Sequence, residues 1–412
     1  LFYFKINLKM ALISISERLK SFNRPLLQDK VQLKYKVMAE DAYKFYRGSC
    51  HIFYEDLSKE LSFPNSPHVW ACGDLHLENF GSYKGNNRFV YFDQNDFDES
   101  LLAPAAWELV RMVTSIFIAF DTLKVNETQI KKWVQLYLEA YCNTLKGGKA
   151  KHIEARLAKG IVKSFLQLVS KRKPKELLQK HIIKKKKKHY LIIDNKKHFT
   201  LESNLKEQLI SHFRKWISHQ HKNLQEYEVA DSAFRVAGTG SLGVKRYVFL
   251  LQKKKDFLLL DMKESRPSSV LPLTSIRQPE WKSEAEREVA IQSRSEYATA
   301  ALLGTSEFNA SSFVIQELQP AEDKIDFTSL LKLHKDISCV LEDMALLTAS
   351  AQLRSGGRQG SAIADELIHF GESNDWQSRI VEYAANYAKQ VQTDYQQFVK
   401  DYKMGYFKEA DV

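Results

Sequence analysis

No stretch constrains this chain more than Gly238-Thr-Gly240-Ser241-Leu-Gly243, because of what surrounds it. A G-x-G-x-x-G spacing lets backbone approach a phosphate closely, and in a dinucleotide fold those glycines open a helix. Here Val244-Lys-Arg-Tyr-Val-Phe-Leu-Leu251 follows, and its β-branched and aromatic residues favour a strand. Strand, glycine loop and strand together make a flap over phosphates rather than a dinucleotide turn. Such a flap has a second requirement, a lysine on the next strand aimed at those phosphates. Lys263 ends the apolar run Leu258-Leu-Leu-Asp-Met, 25 residues after Gly238, which suits two strands and a turn. The plainer reading is a glycine hairpin with a surface lysine. Downstream, Glu284, Glu286 and Glu288 fall in a helix expected over 280–303, and Glu288 is the candidate partner for the lysine. The other two read as solvated helix charges.

A second chemical signature lies far upstream. Gly73-Asp74-Leu-His-Leu-Glu-Asn79 places Asp and Asn five apart in a turn, and the strand Arg88-Phe-Val-Tyr-Phe runs into Asp93, Asp96 and Asp98. Phosphoryl transfer from Mg-ATP needs this inventory: a carboxylate to accept the proton of the attacking hydroxyl, and an amide and a carboxylate to hold metal. Calcium binding is the competing use of such acids, but positions 93, 96 and 98 do not follow EF-hand spacing. The His76-x-Glu78 pair lacks the further ligands of a zinc site.

Composition limits the alternatives. With 412 residues, 44% hydrophobic and 12% aromatic, the chain is neither disordered nor fibrous, and it is long enough for two lobes. No apolar run reaches the roughly 18 residues of a membrane helix. Cys50, Cys72, Cys142 and Cys339 are scattered without a C-x-x-C pair, so a reducing cytoplasm is expected rather than a disulfide framework. The net charge of +11 looks like a nucleic-acid signal until it is located. Between Lys171 and Lys197 twelve lysines and arginines face only Glu176 and Asp194, which accounts for +10 of it. Only Tyr190 and Phe199 lie near those charges, so the aromatic interleaving of a single-strand binder is missing and nucleic acid is not the expected partner. Residues 189–202 read as a hairpin flanked by the lysines, a helix is expected over 155–169, and the chain from Thr328 onward reads as helical. The first nine residues receive no role.

Taken together, the motifs resemble the protein-kinase-like superfamily, specifically the aminoglycoside phosphotransferase type. Its H-G-D-x-x-x-x-N appears as Cys72-Gly73-Asp74 to Asn79. In aminoglycoside and choline kinases an aromatic-acid pair opening a helix follows the metal aspartate at the spacing of Trp107-Glu108 from Asp96, which favours Asp96 over Asp93. The sequence is similar, more closely still, to a bacterial family catalogued as domain of unknown function 2252. That likeness rests on Phe45-Tyr-Arg-Gly48, Cys72 to Gly81, Asn95-Asp-Phe-Asp-Glu99, Gly238 to Gly243 and Lys263-Glu264.

The kinase resemblance implies an α+β, protein-kinase-like two-lobe fold with a small antiparallel β lobe and a larger helical lobe. Since Asp74 to Asp98 precede the glycine loop, the fold is expected to be circularly permuted, as close-lying termini permit. The implied segments are 1–40 (N-terminal helices), 41–150 (catalytic and metal segment), 151–230 (helical and basic connection), 231–320 (β-rich nucleotide lobe) and 321–412 (C-terminal helices). The implied activity is an ATP- and Mg2+- (or Mn2+-) dependent transfer of a phosphoryl group to an unidentified hydroxyl acceptor. Asp74 is then the base, and Asn79 and Asp96 hold metal with Asp93 and Asp98 beside them. Gly238, Gly240, Ser241 and Gly243 form the flap, Lys263 with Glu288 the phosphate clamp, and Glu317-Leu318 the hinge that holds adenine. A nucleotide-binding pseudokinase and a nucleotidyl transferase remain open. Cys72, where the superfamily has His, departs from the pattern without removing a metal ligand.

Overall fold

The computed structural model of the chain describes residues 14–60, 63–186, 188–220, 222–318 and 323–408. The opening nine residues and Lys187 lie outside them. Four short helices come first: α1 (Ile15–Asn23), α2 (Gln28–Met38), α3 (Ala42–Gly48) and α4 (Cys50–Leu57). Ser14 and Asp41 cap α1 and α3 by accepting the Glu17 and Lys44 N–H groups. Next, β1 (His68–Ala71) pairs antiparallel with β4 (Leu101–Pro104), and between them β2 (Phe80–Lys84) and β3 (Val90–Gln94) form a hairpin. The apolar helices α5 (Ala105–Thr122) and α6 (Glu127–Lys146) follow.

A connecting region carries β5 (Ile153–Glu154), α7 (Gly160–Ser170), α8 (Pro174–His181), β6 (Ile182–Lys185), β7 (Lys188–Leu191), β8 (His198–Phe199), α9 (Ser203–Ser218) and α10 (Lys222–Gln225). The main sheet adds β9 (Glu228–Arg235), β10 (Arg246–Lys253), β11 (Asp256–Ser265), β12 (Gly304–Phe308) and β13 (Ser311–Glu317), with α11 (Glu284–Ser295) between β11 and β12. Its order is β12-β13-β11-β10-β9-β8, antiparallel throughout. The chain closes with α12 (His334–Ser355), α13 (Ala364–Glu372) and α14 (Gln377–Lys403).

Period-two alternation explains how the sheet is covered. Tyr247, Phe249 and Leu251 face one way and pack with Leu209, Phe213 and Ile217 of α9. Val248 and Leu250 face the other way with Leu191, Leu259 and Leu318. The helical core draws on both ends of the chain: residues from Ile15 to Leu57 share it with α5, α6 and α12 to α14. Buried hydrogen bonds pin α6 to α12, from Tyr137 to Thr348 (2.9 Å) and from Tyr141 to Gln352 (2.5 Å). Among the described residues no helix is long and apolar enough to cross a membrane.

Three expected elements differ. The helix expected to Leu303 stops at Ser295, where the Glu296 carboxylate accepts Gln292 Nε2 and the Ala300 N–H and folds the chain into a turn before β12. The lysine run is not beside a hairpin but inside one: Ile182–Lys185 pairs with Lys188–Leu191, whereas His198–Phe199 joins the main sheet through β9. The helix expected from 155 begins at Gly160, because Ile153–Glu154 first pairs with β3.

Candidate functional site

The turn carrying Asp74 is held from several sides. Gly73 has φ +86°, and a Cβ there would lie 2.0 Å from the Glu99 carbonyl oxygen, so only glycine fits. Tyr54 donates its hydroxyl to the Gly73 carbonyl (2.5 Å), and the Leu77 N–H donates to Ser115 Oγ on α5 (3.2 Å). Glu108, the acid of the aromatic-acid pair, is buried; it accepts the Cys72 N–H at 2.8 Å and Gln352 Nε2 at 2.8 Å, tying the turn to α5 and α12. Asp74 itself is partly open. Its Oδ1 accepts from Arg111 Nε (3.0 Å) and lies 2.8 Å from Arg111 Nη2. Arg111 is fully buried on α5, its guanidinium 3.6 Å above the Tyr46 ring. Oδ2 is the oxygen left to face the cleft, 3.9 Å from His76 Nε2.

Asn79 sits where the turn meets the aspartate loop. Its amide nitrogen donates to the Asp74 and Asp96 carbonyls (3.0 and 3.1 Å), and its Oδ1 accepts the Asp96 and Asn95 N–H groups (3.1 and 3.3 Å). In this arrangement the side chain is a clasp between two loops, and its oxygen is occupied by backbone donors. Asp96 and Asp98 converge on Lys263 from β11: Nζ bonds Asp98 Oδ2 and lies 3.5 Å from Asp96 Oδ1.

One ammonium shared by two carboxylates drives their titrations apart. For Asp96 the low-dielectric walls oppose ionisation, but Lys263, Lys324 and Arg246 together outweigh them and hold its carboxyl below the usual range. For Asp98 the same walls and the Asp96 charge win, and its carboxyl is pushed up. Lys263 is held above its ordinary value, because the two aspartates overcome its desolvation.

Asp93 stands apart from this group. It is buried on β3 with its carboxylate 3.3 Å from Arg354 Nη2 of α12, and burial pushes it up to about 6 despite that arginine. Among the described residues no group of three or more His, Cys, Asp or Glu is arranged to hold a metal ion. Glu288 is buried on α11, but the ion pairs of Lys263 run to the aspartates. Burial and the Asp98 charge push the Glu288 carboxyl well up, with Arg287 (3.5 Å away) and Lys263 only partly offsetting them. Arg287 pins the aspartate loop instead, donating to the Asp98 and Ser100 carbonyls.

Above the aspartates lies the glycine loop. Gly240 and Ser241 line one pocket with Asp74, Asp96 and Asp98, a space of about 840 Å³ that is partly open to solvent. The loop rests on the N-terminal helices: the Leu27 N–H donates to the Gly243 carbonyl (2.9 Å), and a Cβ at Gly243 would press to 3.0 Å on Leu26 and Val31. Sequence reasoning gave those helices no part in the site. A second pocket, of about 1100 Å³, shares Asp96 and Arg47 with the first and reaches Glu317 between the sheet and the β2–β3 hairpin. At the expected hinge both amides are engaged, Glu317 N–H with the Ala301 carbonyl and Leu318 N–H with the Leu259 carbonyl, and Arg88 holds the Glu317 carboxylate at 2.7 Å.

Two residues that bear on this site had no place in the sequence reading. Arg111 carried a signal, an arginine on the buried face of a largely apolar helix. Lys34 carried another: it lies three after Val31 and four before Met38, on the buried face of α2.

A family model described as "uncharacterized protein conserved in bacteria (DUF2252)" matches residues 26–401. The chain belongs to the DUF2252 family. Searches of curated proteins and of solved structures return no match. The DUF2252 match runs from just before α2 into α14, so it takes in the helix under the glycine loop and the lining of both pockets except Phe22.

Proposed function

We propose that this protein is a circularly permuted, kinase-like phosphotransferase that uses ATP with Mg2+ or Mn2+. The observation that carries the reading is the meeting of Lys263 with Asp96 and Asp98, two aspartates that line a pocket together with Asp74 and with Gly240 and Ser241 of the glycine loop. These groups come from segments far apart in sequence, and phosphoryl transfer is a chemistry that needs all of them at one triphosphate. Connectivity supports it as well. Counting the strand before the glycine loop as the first, Lys263 stands on the third, and the helix with Glu288 follows directly, as a kinase-like small lobe requires.

Mg2+ is held through one or two carboxylates plus phosphate oxygens and water rather than by an all-protein cage. Asp96 and Asp98 fit that description. Bound there, the metal would neutralise charge on the triphosphate. Lys263 would then turn from the aspartates to the phosphates. Asp74 Oδ2 would accept the proton of the acceptor hydroxyl, as its oxygen bonds the γ-phosphorus and the bond to the ADP oxygen breaks. Arg111, holding Oδ1, fixes the direction of Oδ2. The nucleotide base would lie in the second pocket, towards Glu317, and the acceptor in the first.

One observation favours a second reading, nucleotide binding without transfer: the Asn79 oxygen is taken up by backbone N–H groups, leaving one amide ligand fewer. Thermal unfolding with ATP and Mg2+ or Mn2+, followed by labelled ATP with a panel of hydroxyl compounds, separates the two. A ligand that prefers the folded state raises the midpoint. Protection with transfer is the expected result, protection without transfer selects the second reading, and an unchanged midpoint removes both.

A further inference from the structure

The first pocket has an uneven balance of charge. Each of its carboxylates has a partner: Asp74 has Arg111, Asp96 and Asp98 have Lys263, and Glu264 has Lys245. Glu99 accepts from Ser268 and Ser269, and Glu288 lies beside Arg287. Of its basic groups Arg47 is held by Glu78 at 2.6 Å, but three others are not matched. Lys34, 2% exposed on α2, gives one of its three donors to Asn23 Oδ1 (3.1 Å), a neutral acceptor. His51, also 2% exposed, has no partner for Nε2 and stacks on Phe22 at 3.6 Å. Arg266 has its backbone carbonyl pinned by Arg287, yet its guanidinium makes no hydrogen bond or ion pair among the described residues.

A buried ammonium hydrogen-bonded only to a neutral acceptor, with no carboxylate in contact, and a buried imidazole nitrogen without a partner are each costly to leave unmet. With the half-buried Arg266 guanidinium, these two groups line one pocket from α2, α4 and the loop after β11 and make a built anion site. Resting on the phosphotransferase reading, we infer that Lys34, His51 and Arg266 bind a phosphate or carboxylate group of the acceptor, a small anionic molecule whose hydroxyl is presented to Asp74. The chemistry is that of a phosphorylated or acidic hydroxy compound. Glu99, Cys50 and Asp74 also face Lys34 and favour its charge, while Arg266 opposes it; a bound anion relieves that repulsion.

The test titrates the full chain by calorimetry with sodium phosphate and, separately, sodium acetate, each with and without a non-hydrolysable ATP analogue and Mg2+. Binding of at least one anion, retained when the analogue is present, is expected. Lys34→Met and Arg266→Gln should each weaken it by roughly 10- to 100-fold, the worth of a charged hydrogen bond, while the thermal midpoint of the Lys34→Met protein does not fall. Loss of anion binding in the presence of the analogue would show that the groups hold the nucleotide's own phosphate and would overturn the acceptor assignment. Absence of binding by either anion, or binding indifferent to both substitutions, would overturn the site itself. Failure of the phosphotransferase reading appears differently, as anion binding that survives while ATP gives no protection.

Discussion

At the scale of single residues, two aspartates that share one pocket are asked to do different things. Asp74 has one oxygen fixed by Arg111 and the other 3.9 Å from His76 Nε2, and it takes no part in holding Lys263. Asp74→Asn should lower turnover by roughly 10²- to 10⁴-fold, the usual worth of a general base, with ATP protection nearly unchanged. Asp96→Asn should weaken the metal-dependent part of ATP protection itself. If both variants give the same binding curves, the two roles have been assigned wrongly. Lys34 supports a prediction about pH. Burial lowers its ammonium from the ordinary 10.5 to about 8, with Glu99, Cys50 and Asp74 only partly opposing. Below about 8 it is charged in both folded and unfolded chains, and its burial weakens the fold by a constant amount. Between about 8 and 10.5 the unfolded chain holds a proton that the folded one has released, so this penalty is relieved as pH rises. Lys34→Met should therefore stabilise the protein at pH 7 by up to about 3 kcal/mol, from the size of the shift. The gain should shrink towards pH 10, and denaturant midpoints of the two proteins across that range measure it. A gain that grows with pH would contradict the sign.

Among the elements, what could be read in advance follows how local the signal is. Helices α5 and α6 were legible because their apolar spacing and flanking Pro104 and Gly147-Gly148 lie within the helices themselves or beside them. The strands around the glycine loop were legible from β-branched runs for the same reason. The turn at Glu296 was not, since two side-chain hydrogen bonds made across it end the helix. Asp93 was grouped with Asp96 by spacing, but alternation along β3 carries its carboxylate to Arg354 on α12, a partner 261 positions away that no local pattern reveals. The lysine run illustrates the opposite case, as its strand pairing was misread although its exposure was foreseen: Lys184, Lys185, Lys186 and Lys188 are all exposed on β6, β7 and their turn. Replacing Lys184 to Lys188 by Gln should leave ATP protection and turnover of a small acceptor unchanged. Tight, steeply salt-dependent nucleic-acid binding that vanishes in this variant would instead give the run a function.

For the molecule as a whole, one core is closed by both ends of the chain. Ser16 donates to Asp401 (2.6 Å), Gln32 to the Phe407 carbonyl (2.7 Å), and Tyr387 to Asp56 (3.0 Å), while Phe45 and Phe53 pack on Phe398 and Tyr387. This closure was not legible in the sequence: the reversed motif order set the helices after Thr328 against those of residues 105–145 and gave the N-terminal helices no share in it. It also has a mechanical consequence. Helix α14 buries Ile380, Ala384, Tyr387, Val391 and Phe398 against α5 and the N-terminal helices. Those helices in turn hold the glycine loop through Leu26, Leu27 and Val31. A large-to-small change far from the cleft should therefore reach the flap. Phe398→Ala removes a side chain buried beside Phe45 and Tyr35 and should cost about 3 to 5 kcal/mol. Because α1 to α4 share that core, hydrogen exchange should speed up in residues 15–57 and in the loop 238–243 together, with the outer strands β12 and β13 changed least. Acceleration confined to α14, with the glycine loop as protected as before, would show that the flap is supported from the sheet side and not by the chain's two ends.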